Sequence, residues 1–352
     1  MKLHVISLPH TQTTRAFDRC AFTAKARKLA EMMQRRGHDV VLYAGEENEV
    51  EGVELVTCIT KDQQADNGFR TIDDAINQDY DFTKPLWRTF NRQLISALRE
   101  RVGPREHICI PQGWTWADEI ADAFPANKVV EHGVGYAGIS QRTYRVFDSY
   151  AWRNFVYGRY SMDGQCYDEV IPNYWDVDEF PEPDPQDYYF WIGRLNARKG
   201  LHIAQSACEK MGARLVVAGQ GEHHGYGEHI GTLDHVQRGY WMSRALAVFT
   251  PTIYVPPFEK VHVEAMMCGT PAITTDFGAF SETVQNGVNG YRCTMLADFI
   301  AAAEDTATWD LKRRRKLRKQ TQAVYGLEPI GARYEAYFNR LSTLYRDGFD
   351  TL

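Results

Sequence analysis

The chain has 352 residues, of which 44% are hydrophobic and 24% charged, with a formal net charge of −6. This length accommodates two domains of roughly 150 residues each. The negative charge argues against nucleic-acid binding by bulk charge alone, although a local basic groove stays compatible with it. No run approaches the roughly 18 apolar residues of a membrane span. The apolar part of residues 1–10 is too short for a signal-peptide core, so we expect a cytoplasmic protein.

Seven cysteines are scattered along the chain without a CxxC pair. Their odd number excludes a disulfide framework that uses all of them. We therefore expect most of them to be small core residues in a reducing compartment.

The first half alternates short apolar runs with a helical pattern between Phe22 and Met33 that Gly37 ends. This alternation is typical of βαβ units. It predicts an α/β fold with a doubly wound parallel sheet. The predicted strands are 3–8, 39–43, 53–58, 107–110 and 128–132.

Residues 171–187 contain four prolines and six acidic residues and show no periodicity, which indicates a linker. Strands are then predicted at 188–193, 214–219, 247–252 and 272–275, with helices from about 200 and around Glu264. The predicted divisions are an N-terminal domain 1–172, a linker 173–187, a C-terminal domain 188–328 and a final helical segment 329–352. Two such sheets would face a cleft at the carboxyl ends of their strands, where ligands bind.

The segment FWIGRLNARKG (190–200) has the composition of an anion site. A strand ends at Gly193, Arg194 and Lys199 follow, and Gly200 begins a helix. Two cations beside free backbone N–H groups suit a diphosphate. A plain strand-to-helix loop with solvated charges is the alternative.

Glu264 is predicted in a helix beside Ala265, Met266 and Met267. An ionised carboxylate in apolar surroundings is costly unless it is hydrogen-bonded. The paired hydroxyls of a ribose would be suitable donors. The alternative is that Glu264 caps a neighbouring backbone loop.

Several segments together resemble the donor domain of the retaining glycosyltransferases of family 4, which have the GT-B fold. They are GR-x4-KG (193–200), AGQGE (218–222), PPFEKVHVEAMMCGTPAITTD (256–276) and GAFSETVQNGVNGY (278–291), and VIPNYWDVDEF (170–180) resembles the interdomain segment of that family.

The resemblance implies a nucleotide-diphosphate sugar as donor substrate, with no cofactor and no bound metal. Arg194 and Lys199 would hold the diphosphate and Glu264 the ribose. It also implies two Rossmann-like domains with parallel sheets and a C-terminal helix that crosses back to the first domain. The donor-binding residues would be Gly193, Arg194, Lys199, Glu259, Lys260, Val261 and Glu264.

Two positions depart from the family pattern. The first of two glutamates, expected to touch the donor sugar, is Pro256 here, and proline offers no side-chain hydrogen bond. The glycine that usually follows Pro-Phe is Glu259. Either Glu259 partly replaces the missing carboxylate, or the sugar lacks the hydroxyl that needs it, or Glu259 simply points to solvent.

In the first half, His132 stands at the end of a predicted strand, before Gly133. By resemblance it lies near the reacting sugar, so the predicted catalytic set is His132, Arg194 and Lys199; a structural histidine is the alternative. His10 and Thr11 in the loop PHTQTT (9–14) and Gln112 are candidates for donor or acceptor contacts.

The sequence thus predicts a retaining glycosyltransferase that moves a sugar to a hydroxyl of a glycan or lipid-linked sugar. The basic run KRRRKLRK (312–319) and a weaker resemblance of PHTQTT and EHGVGYAG to bacteriophage-encoded members leave open a DNA-modifying enzyme that acts on a hydroxylated base. A sugar-nucleotide epimerase and a non-catalytic binding module are further alternatives. The donor base and sugar, the acceptor and the oligomeric state stay open.

Overall fold

The computed structural model describes residues 1–76 and 81–344. The chain divides into two compact units. The first unit comprises 1–147, 163–171 and 331–352, and the second comprises 148–162 and 172–330. The predicted final segment beyond residue 344 lies outside the described residues.

The first unit contains a parallel sheet of seven strands among its described residues, in the order β3-β2-β1-β4-β5-β6-β7. Helices α1 and α4 bury one face each, and β4 and β5 are buried along their whole length. The strands are β1 Lys2–Ile6, β2 Asp39–Ala44, β3 Glu54–Thr57, β4 His107–Ile110, β5 Lys128–Val134, β6 Tyr144–Phe147 and β7 Glu169–Val170. The helices up to this point in the chain are α1 Ala21–Arg35, α2 Lys61–Asp66, α3 Ile72–Ile76, α4 Pro85–Arg101, α5 Thr115–Ala123 and α6 Tyr150–Tyr160.

The second unit contains a parallel sheet of six strands in the order β10-β9-β8-β11-β12-β13 within the described chain. Its strands are β8 Tyr189–Ile192, β9 Leu215–Ala218, β10 Glu228–His229, β11 Val248–Thr250, β12 Ala272–Thr275 and β13 Gly290–Cys293. The later helices are α7 Leu201–Met211, α8 His235–Arg244, α9 Lys260–Met267, α10 Phe280–Thr283, α11 Leu296–Ala307, α12 Leu311–Tyr325 and α13 Leu327–Ser342.

The predicted fold class, α/β with two Rossmann-like parallel sheets, is confirmed. Every strand predicted in either half is present to within two residues. The strands β6, β7, β10 and β13, which lie at a sheet edge or next to one, were not predicted. Short edge strands carry little of the apolar periodicity on which the prediction rests.

Helix α6 belongs to the second unit although it lies within the predicted N-terminal domain. Ser149 caps this helix and its Oγ also donates to the Pro257 carbonyl at 2.6 Å. The Glu282 carboxylate accepts from the backbone N–H groups of Tyr150 and Ala151 at 2.9 and 2.6 Å. These polar contacts hold α6 within the second unit.

Helix α13 changes unit along its length, because residues from 331 onward group with the first unit. Arg333 donates to the Val170 carbonyl at 2.6 Å, and the Tyr337 hydroxyl donates to the Arg145 carbonyl at 3.4 Å. Arg36 pairs with Glu335. These polar contacts attach the helix to the first unit, in addition to its buried apolar side chains.

Six of the seven cysteines are buried and Cys166 is exposed, and all seven are free thiols. Within residues 1–76 and 81–344, no helix is long and apolar enough to cross a membrane.

The basic run 312–319 forms part of α12, and three of its four arginines contact backbone carbonyls. Arg314 is fully buried and donates to the carbonyls of Trp309, Ala245, Leu246 and Thr306 at 2.8–3.2 Å. Burial lowers the pKa of Arg314 to about 10, so it stays charged at neutral pH.

Two further arginines of the run are used in the same way. Arg318 donates to the carbonyls of Met267 and Phe180 at 2.9 and 2.8 Å, and Arg313 donates to the Gly287 carbonyl at 2.6 Å. The run therefore does not form a continuous solvated basic face.

We predict that Arg314→Met lowers the free energy of unfolding of the second unit by about 3 kcal/mol, because four buried carbonyls lose their charged donor. Chemical denaturation followed by tryptophan fluorescence measures this. Lys316→Met, at an exposed position of the same helix, is the matched control and should change little. Equal effects of the two substitutions would contradict the structural role of Arg314.

Candidate functional site

In the second unit, the strand order reverses between the neighbouring strands β8 and β11. Chain connections leave these strands toward opposite edges of the sheet, so a crevice opens at their carboxyl ends. The loops that start there are 193–200 and 251–259. Both loops contain residues that the sequence singled out.

The two loops are in direct contact. Gly200 has φ +69°, and a Cβ atom there would lie 2.0 Å from the Pro251 carbonyl oxygen. The Ile253 N–H donates to the Arg198 carbonyl at 3.0 Å. Glycine is therefore required at position 200 both by the backbone conformation and by the close approach.

Lys199 and Glu259 form an ion pair across these loops. The Lys199 Nζ lies 2.5 Å from Glu259 Oε2, and the Thr252 hydroxyl donates to the same oxygen at 3.2 Å. Lys199 also lies over the ring of Tyr254, 5.3 Å from its centre. Although burial acts to lower it, the negative charge of Glu259 raises the pKa of Lys199 above its ordinary value.

Arg194 lies in the same loop and is exposed, without an ion pair to any described residue. Gly193 directly follows β8, and its N–H donates to the Ala218 carbonyl at 3.1 Å. Lys260 and Val261 are the first two residues of α9, whose N-terminus has no side-chain cap. A cation and an uncapped helix N-terminus thus lie at the same end of the sheet.

Glu264, one turn into α9, has two side-chain partners. Trp175 Nε1 donates to Oε1 at 3.3 Å, and Arg238 on α8 donates to Oε2. Glu264 is buried, with 9% of its surface exposed. Its charge is therefore compensated by side chains 26 and 89 residues away in the chain.

At the positions that depart from the family pattern, Pro256 is buried and packs against Gly278. A Cβ atom at Gly278 would lie 2.5 Å from Pro256 Cδ. Glu259 has φ +64°, a left-handed conformation that glycine adopts without cost. Its carboxylate is bound to Lys199 and only 10% exposed.

In the first unit, the strand order reverses between β1 and β4. Gln112 follows β4, and His132 lies on the adjacent strand β5. Both side chains are fully buried, and neither the Gln112 amide nor the His132 ring has a hydrogen-bond partner among the described residues. Buried polar groups without partners are rare and costly, so these two side chains are available to hydrogen-bond a ligand or a water molecule.

His132 is neutral at physiological pH. Burial, with a smaller effect of the Lys25 charge, lowers its pKa to about 3. Lys25 itself donates to the Gly133 carbonyl, next to His132. A neutral imidazole both donates and accepts one hydrogen bond, which suits a hydroxyl.

His10 and Thr11 lie in the buried loop that follows β1. The His10 ring packs 5.7 Å from the ring of Phe69 and 5.9 Å from that of Trp87, and burial lowers its pKa to about 3. The Thr11 hydroxyl is 2.7 Å from that of Thr23. Thr11 is therefore already bonded within the unit.

Sequence reasoning did not identify the partners of these residues, namely Trp175, Arg238, Thr252, Tyr254 and Lys25. Trp175 lies in the segment that resembles the interdomain segment, but nothing in the sequence pairs any of these residues with its partner, and only the folded chain brings them together. Among residues 1–76 and 81–344, no group of three or more His, Cys, Asp or Glu side chains is arranged to hold a metal ion.

Residues 186–308 match the family model of glycosyl transferases group 1. This range includes Arg194, Lys199, Arg238, Glu259 and Glu264. A glycogen synthase from Mycobacterium tuberculosis is 30% identical over 164 residues, and the match covers 41% of this chain and 39% of that enzyme. The chain therefore spans less than half the length of the curated relatives it matches.

Solved structures resemble almost the whole chain. Sucrose-phosphate synthase from Thermosynechococcus elongatus has a TM-score of 0.68 at 16% identity, over 97% of this chain and 99% of that one. HepE from Anabaena in complex with UDP-glucose has a TM-score of 0.63 at 15% identity, over 98% and 100% of the two chains. These likenesses confirm the GT-B class of fold.

Glu131, beside His132 on β5, is a fully buried carboxyl group. It accepts hydrogen bonds from the Tyr136 hydroxyl, the Ser140 N–H and the Thr143 hydroxyl at 2.5–2.8 Å. Burial raises the pKa of Glu131 to about 7 against the opposing effect of these bonds. The carboxyl group thus anchors the chain that follows β5.

This raised pKa predicts a pH-dependent stability. The folded-state pKa of about 7 exceeds the ordinary value of 4.5. The stabilisation that the protonated Glu131 gives to the folded state is therefore fully present below pH 4.5 and is lost as the pH rises through 7. Glu131→Gln removes this loss. The difference in melting temperature, native protein minus Glu131→Gln, should therefore decrease as the pH is raised from 5 to 8.5, as measured by scanning calorimetry.

Glu51→Gln, at an exposed position, is the control and should differ from the native protein by the same amount at every pH. A difference for Glu131→Gln that does not depend on pH would contradict the prediction.

Proposed function

We propose that this protein is a glycosyltransferase that moves a sugar from a nucleoside-diphosphate sugar to a hydroxyl acceptor. The observation that carries the proposal is the place of Arg194 and Lys199. Both follow β8 at the point where the strand order reverses, within the range that matches glycosyl transferases group 1. Ligands of parallel sheets bind at such points.

The donor diphosphate is held by Arg194, Lys199 and the uncapped N-terminus of α9 at Lys260 and Val261. When the bond between the anomeric carbon and the phosphate oxygen breaks, its electron pair stays on that oxygen. Fixed positive charge at this place stabilises the transition state more than the bound donor. Gly193 lets the diphosphate approach the backbone closely.

Glu264 binds the hydroxyls of the donor ribose. Its partners Arg238 and Trp175 hold the carboxylate in one orientation and compensate its charge while no ribose is bound. In the first unit, His132, Gln112, His10 and Thr11 supply neutral groups that suit the hydroxyls of a sugar or an acceptor.

The resemblance to family 4 supports transfer with retention of the anomeric configuration and without a bound metal. The acceptor we propose is a hydroxyl of a glycan or lipid-linked sugar. The basic run 312–319 gives little support to a DNA acceptor, because three of its arginines bind carbonyls within the second unit. An epimerase would instead change the sugar of the donor without any acceptor.

The test is a panel of uridine, guanosine, adenosine and cytidine diphosphate sugars. At least one of them should raise the melting temperature and be hydrolysed slowly, and with methanol as acceptor the methyl glycoside formed should keep the anomeric configuration of the donor by NMR. We predict that Arg194→Met lowers kcat/KM of this reaction about a hundredfold, because one donor to the developing charge is lost.

Lys210→Met, on the exposed side of α7, is the charge-matched control and should leave kcat/KM unchanged. Absence of stabilisation by every member of the panel would refute the proposal. Release of a changed sugar nucleotide would favour the epimerase.

We predict for Glu264→Gln a loss of selectivity for ribose. The native protein should bind a ribonucleoside diphosphate about tenfold more tightly than its 2′-deoxy analogue, because the carboxylate accepts from the 2′ hydroxyl. The variant should bind the two with nearly equal affinity in isothermal titration calorimetry. Glu304→Gln, an exposed glutamate of α11, is the control. A purely structural role of Glu264 would change stability and leave this selectivity intact.

A further inference from the structure

The loops at the carboxyl ends of β8 and β11 contain one carboxylate among cations. Glu259 lies between Lys199, which binds it at 2.5 Å, and Thr252, which donates to it at 3.2 Å. Arg194 and Arg198 are the other charged residues of the loop that carries Lys199. The two loops therefore contain three cations and one carboxylate.

Several features hold Glu259 in this place. The backbone at position 259 adopts φ +64°, which costs a non-glycine residue about 1 kcal/mol or more. The backbone of Thr252 is in turn held near the strand ends, because its carbonyl accepts from the Thr275 hydroxyl at 2.6 Å. The strained conformation directs the carboxylate at the lysine that the proposed function assigns to the donor diphosphate.

A bound diphosphate and Glu259 compete for the same ammonium group. The competition is stronger for the product than for the donor. In the donor the terminal phosphate is a diester, whereas in the released nucleoside diphosphate it has a second ionisation with a pKa of about 6. At neutral pH and above, the product therefore carries nearly one more negative charge next to Glu259.

On this basis, which rests on the proposed function, we propose that Glu259 is a counter-charge to Lys199 that weakens binding of the nucleoside diphosphate product and so promotes its release. The residue acts through Lys199 and is a positioning residue in this role. Its presence where the family pattern has glycine distinguishes this site from a plain diphosphate-binding loop.

The experiment measures binding of UDP, GDP, ADP and CDP, and of the four corresponding nucleosides, by isothermal titration calorimetry at pH 7.5. Glu259→Gln should lower the Kd of the preferred diphosphate about tenfold, the size of one partly buried charge interaction. The Kd of the nucleoside should not change. Glu259→Asp, which keeps the charge, should stay close to the native protein.

Glu259→Gly separates charge from backbone strain, since glycine removes both. It should tighten diphosphate binding as Glu259→Gln does. Tighter binding by Glu259→Gly alone would assign the effect to strain and overturn the inference. Equal or weaker diphosphate binding by both variants, or a matching change for the nucleoside, would also overturn it.

Two kinds of failure are distinguishable. If the native protein binds a nucleoside diphosphate and the variants bind it no better, the inference fails while the proposed function stands. If neither the native protein nor any variant binds a nucleoside diphosphate, both fail. Nucleoside binding reports that the variants are folded around an intact base and ribose site.

Discussion

The whole arrangement depends on the reversal of strand order in two parallel sheets. A parallel sheet places the loops that follow its strands at one edge, and ligands of such sheets bind where the strand order reverses. In the second unit the reversal lies between β8 and β11 and collects Arg194, Lys199 and Glu259. In the first unit it lies between β1 and β4 and collects His10 and Gln112. Residues far apart in sequence become neighbours for this reason alone.

The two units use this edge with opposite chemistry. The second unit supplies charged side chains. They include the pairs Lys199–Glu259 and Glu264–Arg238 and also Arg194, which has no ion pair to a described residue. The first unit supplies neutral groups, because burial keeps His132 uncharged. Charged loops suit a diphosphate, and neutral buried groups suit hydroxyls.

The sequence predicted the sheets well because parallel strands are buried on both faces and appear as apolar runs with regular spacing. It could not predict what binds Glu264, since Trp175 and Arg238 are 89 and 26 residues away in the chain and no sequence pattern pairs them with Glu264. The run 312–319 shows the same limit. Its composition left a DNA-binding surface open, yet Arg314 is buried against four carbonyls, and only the packing of α12 shows which residues of the run are exposed.

The departures at Pro256 and Glu259 are best understood together. Pro256 packs against Gly278, so the place of the missing carboxylate is filled by apolar contact and offers no hydrogen bond. Glu259 cannot simply take over that task while its carboxylate stays on Lys199, because one Oε atom already accepts from both Lys199 and Thr252. In the proposed function Glu259 therefore acts on the diphosphate through Lys199, and the position of the missing carboxylate stays apolar.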